Sequence, residues 1–454
     1  MALGFACVLL ASPLAAVFAE GAPSGEAYAE AKAKALSWLE ARMVPNDTVP
    51  EPEPDRMRLL LSYEIPPSEP AYRYLSGRSM VYDDALAAVA FTMAGDYRNA
   101  AYVLNALSRL SRADGGLWFG YNTHNSWPSE DDADGALDRT GSGAWAGYAA
   151  VYYIQKRERG EPGFLARDRE ARSYLEMAKA MADCLLSRVV KDGKDPRAGL
   201  ATGGGGGYSL GYEAKEVVEV FAPGAVDWAS AEHNIDLYFL LKELGALTGE
   251  SRYLEAAETA KAALLGLWSA RDGQYYQGRK PDRIDRVLAL DCASWGAMFS
   301  QAAGREDYAR ACLKAVEARY RSSDALPSSV GGRVEGYKPY ADRLLFEGAP
   351  EEVAEHYFGG AKAPTWRETE GVWGEGSLGV ALAYLKQGKA GKAKAILDEM
   401  LKLQTPGGGL PYFTREIPHE FVSYPSVAST AWLAIAISAL EDPEGSSGFM
   451  GNWR

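Results

Sequence analysis

Several things are scarce in this 454-residue chain, and each scarcity excludes something. It has only 4 Cys and 4 His. Cys7 falls in the first few residues, and Cys184, Cys292 and Cys312 are widely spaced, which is neither a disulfide framework nor a zinc pattern. The histidines, at 124, 233, 356 and 419, are not spaced to hold a metal, so no metal site and no cofactor are expected. Basic residues are outnumbered, 48 Lys+Arg against 61 Asp+Glu, for a formal charge of −13. No Lys/Arg-rich run occurs, which argues against nucleic acid and anionic membrane as partners. Beyond the N-terminus no stretch reaches the roughly 18 unbroken apolar residues of a membrane span. Phosphate loops, GxSxG elbows, HExxH and any Ser-His-Asp order are also missing. Phe is sparse at 13, while Trp and Tyr reach 11 and 26. Aromatics with a polar tip suit wet grooves.

Residues 1–19 carry no charge and include the apolar stretch Leu3 to Leu10, with Pro13 after it. They end in Val17-Phe18-Ala19, a small-x-small pattern suited to cleavage before Glu20. No Lys or Arg precedes the stretch, a departure that leaves the true start open. The expectation is a signal peptide over 1–19 and a secreted or periplasmic protein; the alternative is a buried N-terminal helix.

The remaining chain, 20–454, shows no Ser/Pro-rich linker and is expected to form a single domain. Helical periodicity recurs along all of it. One set of segments is rich in small and aromatic residues: about 82–94, 141–156, 231–247, 288–303, 375–387 and 426–440. A second set carries charged faces: about 97–111, 170–189, 253–269, 306–320 and 390–403, with an N-terminal helix at about 26–42 of the same kind. Pairing helix 26–42 with the last helix, 426–440, closes a ring of six inner and six outer helices. Turns from inner to outer helices are short and contain Gly, as at Gly95-Asp96 and Gly388-Lys389. Connections from outer to inner helices are long, so the long loops gather on one face, where function usually sits.

The alternation of twelve helices, the YDDALAA start at Tyr82 and the GEGSLGVALAYL segment from Gly374 resemble the (α/α)6 barrel of the six-hairpin glycosidase kind. That resemblance spans about 26–440. Toroids of this kind include endoglucanases, unsaturated-glycoside hydrolases, sugar epimerases and alginate-type lyases, and terpene cyclases use a similar ring. Carbohydrate chemistry is therefore implied, without fixing the reaction.

Glycosidic cleavage ordinarily needs two carboxyl groups, one protonated to release the leaving oxygen and one to activate water or attack the sugar. The acids at the inner-helix starts are Asp83 and Asp84; Asp138; Glu232 with Asp236; Asp285 and Asp291; Glu370 and Glu375; and Glu420. Glu375 lies in Gly374-Glu375-Gly376 behind Trp373, where a neighbouring ring can exclude water and raise its pKa. In the resemblance, glutamates of Gly-rich inner-helix starts serve as acids. A first-turn carboxylate favoured by the helix dipole is the alternative. In Tyr82-Asp83-Asp84, one acid can cap the helix, which leaves the other to act; Asp84 is the first choice and Asp83 the second. Glu232 and Asp236 are four apart on one helix face, flanked by His233 and Asn234, although Ser230 and Glu232 also suit capping.

Trp118, Tyr121, Asn122 and Trp127 alternate aromatics with amides, as sugar binding requires. Trp228, His233, Asn234, Trp366, Trp373 and Tyr412 are further substrate contacts, with Tyr424 beside them; about half of such loop aromatics serve only to pack loops. Asp131, Asp132 and Asp134 lack the spacing of an EF-hand and are expected to be solvated. The run Gly203 to Gly207 is either a lid over the cleft or a plain mobile loop. The expected activity is a glycoside hydrolase acting on a polysaccharide or oligosaccharide, as a monomer, with Glu375 as acid and one of Asp83, Asp84, Glu232 and Asp236 as base or nucleophile. A polysaccharide lyase using His124, Asn125, Tyr121 and Arg139, or His233 with Asn234, is the rival within enzymes. A non-catalytic glycan-binding protein of an exopolysaccharide system is the rival outside them.

Overall fold

The structure is a computed structural model. It describes residues 25–45, 57–128, 137–326, 331–360, 362–446 and 448–451. The leader at 1–19 and the acidic run at 129–134 lie outside these residues.

The described helices, in chain order, are α1 (Gly25–Arg42), α2 (Tyr72–Leu75), α3 (Val81–Met93), α4 (Tyr97–Leu110), α5 (Thr140–Gly160), α6 (Phe164–Arg167), α7 (Arg169–Ser187), α8 (Ala231–Thr248), α9 (Ser251–Leu265), α10 (Asp291–Ala302), α11 (Glu306–Arg319), α12 (Glu351–Phe358), α13 (Gly374–Lys386), α14 (Ala390–Leu401) and α15 (Val427–Glu441). Twelve build an (α/α)6 toroid. The inner ring runs α3, α5, α8, α10, α13, α15 and back to α3, each packed on the next. Around it, α4, α7, α9, α11 and α14 each cover the inner helix that precedes them, and α1 covers α15.

Composition explains this sorting. An inner helix touches other helices on every side, so it must be apolar or small all round. In α15 every residue from Val427 to Ala439 is buried. An outer helix has one buried stripe: α7 buries Tyr174, Met177, Ala178, Met181 and Leu185 and presents Arg169, Arg172 and Glu176 to water. Side chains of Asp96 and Asp168 cap α4 and α7 by accepting from the backbone N–H groups of Asn99 and Ala171. The predicted helix at 288–303 begins at Asp291, three residues late, which puts that carboxyl in the first turn of α10. Cys184, Cys292 and Cys312 are free and buried.

Every described strand lies between an outer helix and the next inner one, so seven small antiparallel sheets share the loop-bearing end. The largest is a hairpin, Gly204–Glu213 with Glu216–Val226, to which Asp138–Arg139 adds a third strand. The glycine run at 203–207 is therefore mainly strand. Gly204 has φ +123 and lies against the Asp138 backbone, where a Cβ would fall 2.3 Å from the carbonyl oxygen. Only glycine lets the hairpin dock there.

The opposite end of the ring is stoppered by the chain's own C-terminal segment. Phe449 is fully buried against Trp145, Tyr148, Tyr152 and Trp432. Lys386, buried on α13, donates to the carbonyls of Phe449 and Gly451 at 2.7 and 2.8 Å. Met450 N–H donates to the Tyr148 hydroxyl at 2.6 Å.

Candidate functional site

The loop-bearing end opens into a cavity of about 970 Å³. Its floor is made by the first turns of the inner helices. These supply five carboxyl groups: Asp83 from α3, Glu232 and Asp236 from α8, Asp291 from α10 and Glu375 from α13. They converge because each occupies the first or second turn at the same end of a closed ring.

Burial is the leading cause of every pKa shift here, and like charge adds to most of them. Glu375 is pushed up to about 8 by desolvation, held back by the Tyr82 hydroxyl and raised further by Asp83 and Glu232. Asp83 rises to about 7, against a Ser62 hydrogen bond that lowers it. Glu232 rises to about 7 through desolvation. Desolvation drives Asp236 well above the usual carboxyl range, with Glu232 and Glu375 adding to it and the Trp295 and Trp145 indoles opposing it. Asp291 moves the same way, from desolvation and then Glu232, Glu375 and Asp236.

Glu375 is also the best-held acid. Trp432 Nε1 donates to the Tyr82 hydroxyl at 3.1 Å, and that hydroxyl donates to Glu375 Oε1 at 2.5 Å. In contrast, Asp236 Oδ1 and Asp291 Oδ1 are buried with no hydrogen-bond partner among the described residues. His233, beside Trp228, is pushed down to about 3 by burial together with Arg139 and Arg188, and is therefore neutral. Gly141 makes room for its ring, since a Cβ there would lie 2.5 Å from His233 Cδ2.

Not all predicted site residues reach the cavity. Asp83, Glu232, Asp236, Glu375, Trp228, His233, Trp373 and Tyr412 line it. Asp84 does not: its carboxyl accepts from Leu60 N–H at 2.9 Å and from the Ser79 hydroxyl at 2.7 Å. Neither Asp83 nor Asp84 caps α3, because Met80 holds that position. Asn234 is fully buried and bridges the Ala201 backbone through both ends of its amide. Tyr121 is buried, with its hydroxyl accepting from Trp118 N–H. Trp118 lies under the Arg112 guanidinium, and Asn122 accepts from His124 N–H in its own turn. Trp127 is 70% exposed and outside the lining. Trp366 is wholly buried against Phe413 and Phe421. Of the other inner-start acids, Asp138 pairs with Arg188 and Arg112 and accepts from Gly205 N–H, which anchors the hairpin. Among lining residues, Tyr82, Trp145 and Tyr340 carried no role in the sequence reading, and Asp291 was only one acid among many. Tyr82, adjacent to Asp83 at an inner-helix start, was the most findable.

The hairpin forms one wall of the mouth. It bridges to the far side, where Glu219 Oε1 meets His419 Nδ1 at 3.0 Å and His419 Nε2 meets the Tyr357 hydroxyl at 2.9 Å. Among the described residues no group of three or more His, Cys, Asp or Glu side chains is arranged to hold a metal ion. No described helix is long and apolar enough to cross a membrane.

No family model matches the sequence, and no curated protein matches it. Solved structures do match in fold. A glycosidase determined in complex with glucose aligns at TM-score 0.56 and 12% identity, over 91% of this chain and 97% of that one. A D-mannose isomerase aligns at 0.56 and 10% identity, over 92% and 98%. A GH76 α-mannanase of Bacteroides thetaiotaomicron aligns at 0.52 and 12%, over 92% and 96%. The chain thus shares the (α/α)6-toroid fold of these glycosidases and of the isomerase.

Proposed function

We propose that this protein is an exported glycoside hydrolase that cleaves a polysaccharide or oligosaccharide at the floor of the cavity. The observation that carries the reading is Glu375: a buried carboxyl, oriented by Tyr82, whose pKa near 8 keeps it protonated at neutral pH as a general acid must be. The base or nucleophile is then Asp83 or Glu232, two carboxyls whose charge raises the Glu375 pKa. Asp84 is spent on Leu60 and Ser79 and drops out of that role. Trp228, Trp373 and Tyr412 supply ring faces for sugar stacking. The glycosidase neighbours support carbohydrate chemistry at the level of fold. Export rests on the uncharged leader pattern ending at Ala19.

The lyase reading finds less support. Tyr121 is buried away from the cavity, and the Arg139 guanidinium donates to the carbonyls of Asp138, Gly205 and Gly206. An acid-lined floor also disfavours a uronate substrate.

The test is reducing-end release from a panel of neutral, acidic and amino polysaccharides, comparing wild type with Glu375→Gln and following the absorbance of unsaturated products. Release without new absorbance, abolished in the variant, supports the hydrolase. Unsaturated ends would move the reading to a lyase, and binding without cleavage to a glycan-binding protein.

A further inference from the structure

The cavity has an unusual inventory. Among the described residues nine carboxyl side chains line it, against three basic ones, and no Asn or Gln does. Neutral sugars are commonly held by amides and hydroxyls, which donate and accept without adding charge. Hydrolysis uses two carboxyls, yet five meet at this floor. Each additional one repels the others, so a site for a neutral sugar gains nothing from them that an amide would not give.

The basic residues do not balance the floor. Arg139 donates to three backbone carbonyls, Arg73 stacks over Tyr74 and Lys215 sits at the hairpin tip. At the rim Glu219 meets His419, and Glu420 pairs with Arg343. On the floor, Asp236 is only 5% exposed, and its Oδ1 has no partner. The same holds for Asp291 Oδ1. The buried indole N–H of Trp373, which also lines the cavity, lacks an acceptor. Unpartnered buried groups of this kind are costly, and clustered at a cavity they mark where a ligand supplies the missing bonds. A group that donates several hydrogen bonds and carries positive charge would satisfy both carboxyls at once.

We propose that the cleft takes a glycan whose sugar units carry free amino groups, and that Asp236 and Asp291 bind the ammonium of the unit seated at the floor. The proposal deepens the glycoside-hydrolase reading and rests on it for the glycan, but binding is measured apart from cleavage. The experiment uses full-length Glu375→Gln protein in calorimetric titrations at neutral to mildly alkaline pH, where the raised floor acids can ionise against an amine that still carries its proton. The probes are α-1,4- and β-1,4-linked oligomers of glucosamine and galactosamine, their N-acetylated forms and the matching neutral hexoses. The expected result is binding of at least one amino oligomer about tenfold or more tighter than its acetylated and neutral counterparts. Adding Asp236→Asn or Asp291→Asn should remove that preference while leaving the weak neutral binding and the melting temperature in place, which guards against a misfolded variant. No preference for the amine, or no binding by any amino oligomer, overturns the proposal. A preference that survives both substitutions overturns the assignment to Asp236 and Asp291. Turnover of wild type separates the two readings. Amine-selective binding without cleavage sinks only the hydrolase, and cleavage of neutral glycans without amine preference sinks only this proposal.

Discussion

The two ends of the ring both bury ionisable side chains, and they treat them in opposite ways. At the stoppered end Lys386 is surrounded, with its ammonium on the carbonyls of Phe449 and Gly451. Burial lowers its pKa strongly, yet its hydrogen bonds are made within the chain. At the open end Asp236 and Asp291 keep oxygens without partners among the described residues, and Tyr82, Asp83 and Glu232 crowd Glu375. A buried charge whose bonds are complete belongs to the fold. One whose bonds are incomplete, facing a cavity, is held ready for something else.

The largest expected effect breaks this contrast at the open end. Glu375→Gln should lower turnover by about 10³-fold, within the range for loss of a general acid, while thermal stability stays level or rises because a crowded buried carboxyl is removed. Steady-state kinetics and a melting curve measure both. A large loss of stability would place Glu375 with Lys386, as part of the fold.

Next comes the other end. Phe449→Ala should cost about 3 kcal/mol in denaturant unfolding, because a wholly buried ring among Trp145, Tyr148, Tyr152 and Trp432 is emptied. Substrate KM should change little by comparison. If KM rises more than stability falls, the stopper shapes the floor from below, a route available through Met450, which adjoins Asp236 around a small void.

A pH scan sharpens the contrast further. Acids with folded pKa values raised above their unfolded values hold protons more tightly when folded. Their stabilising effect is complete below the ordinary carboxyl range, and it is lost as pH rises from near 4.5 to about 8. Wild type should therefore be less stable at pH 8 than at pH 5, by roughly 3 kcal/mol from Glu375 alone. Asp291→Asn should flatten that slope, and an unchanged slope would mean the floor acids are better solvated than their burial implies.

The same contrast explains what could be read from sequence. Both sets of helices were legible because a ring imposes two compositions: α15 is apolar all round, α7 only along one stripe. That every inner-helix start faces one end was legible from loop lengths. The fate of individual acids was not. Asp83 and Asp84 are adjacent, yet only contacts with Leu60 and Ser79 show that the Asp84 carboxyl is turned away from the cavity. Trp366 carries nothing in its own neighbourhood to say that Phe413 and Phe421 will bury it. The hairpin was hidden by its glycines, although Glu216-Val217-Val218-Glu219-Val220 held part of a strand's alternation. The stopper is four described residues, Gly448 to Gly451, too short for any periodic signal.

The smallest effect concerns the rim, which belongs to neither class. His419 holds both ring nitrogens against partners, Glu219 from the hairpin and Tyr357 from α12. Its backbone is in the left-handed region, φ 59, so the turn that presents it is strained for a non-glycine residue. The Glu219 side chain is 31% exposed, and such partly solvated pairs are worth about 0–1 kcal/mol. His419→Ala should therefore leave kcat and the melting temperature nearly unchanged and raise KM about two- to threefold by loosening the hairpin across the mouth. Steady-state kinetics on the substrate found by the panel measures this. A fall in kcat instead would mean that the hairpin takes part in seating the sugar over Glu375, and the boundary between rim and floor would have to be redrawn to include it.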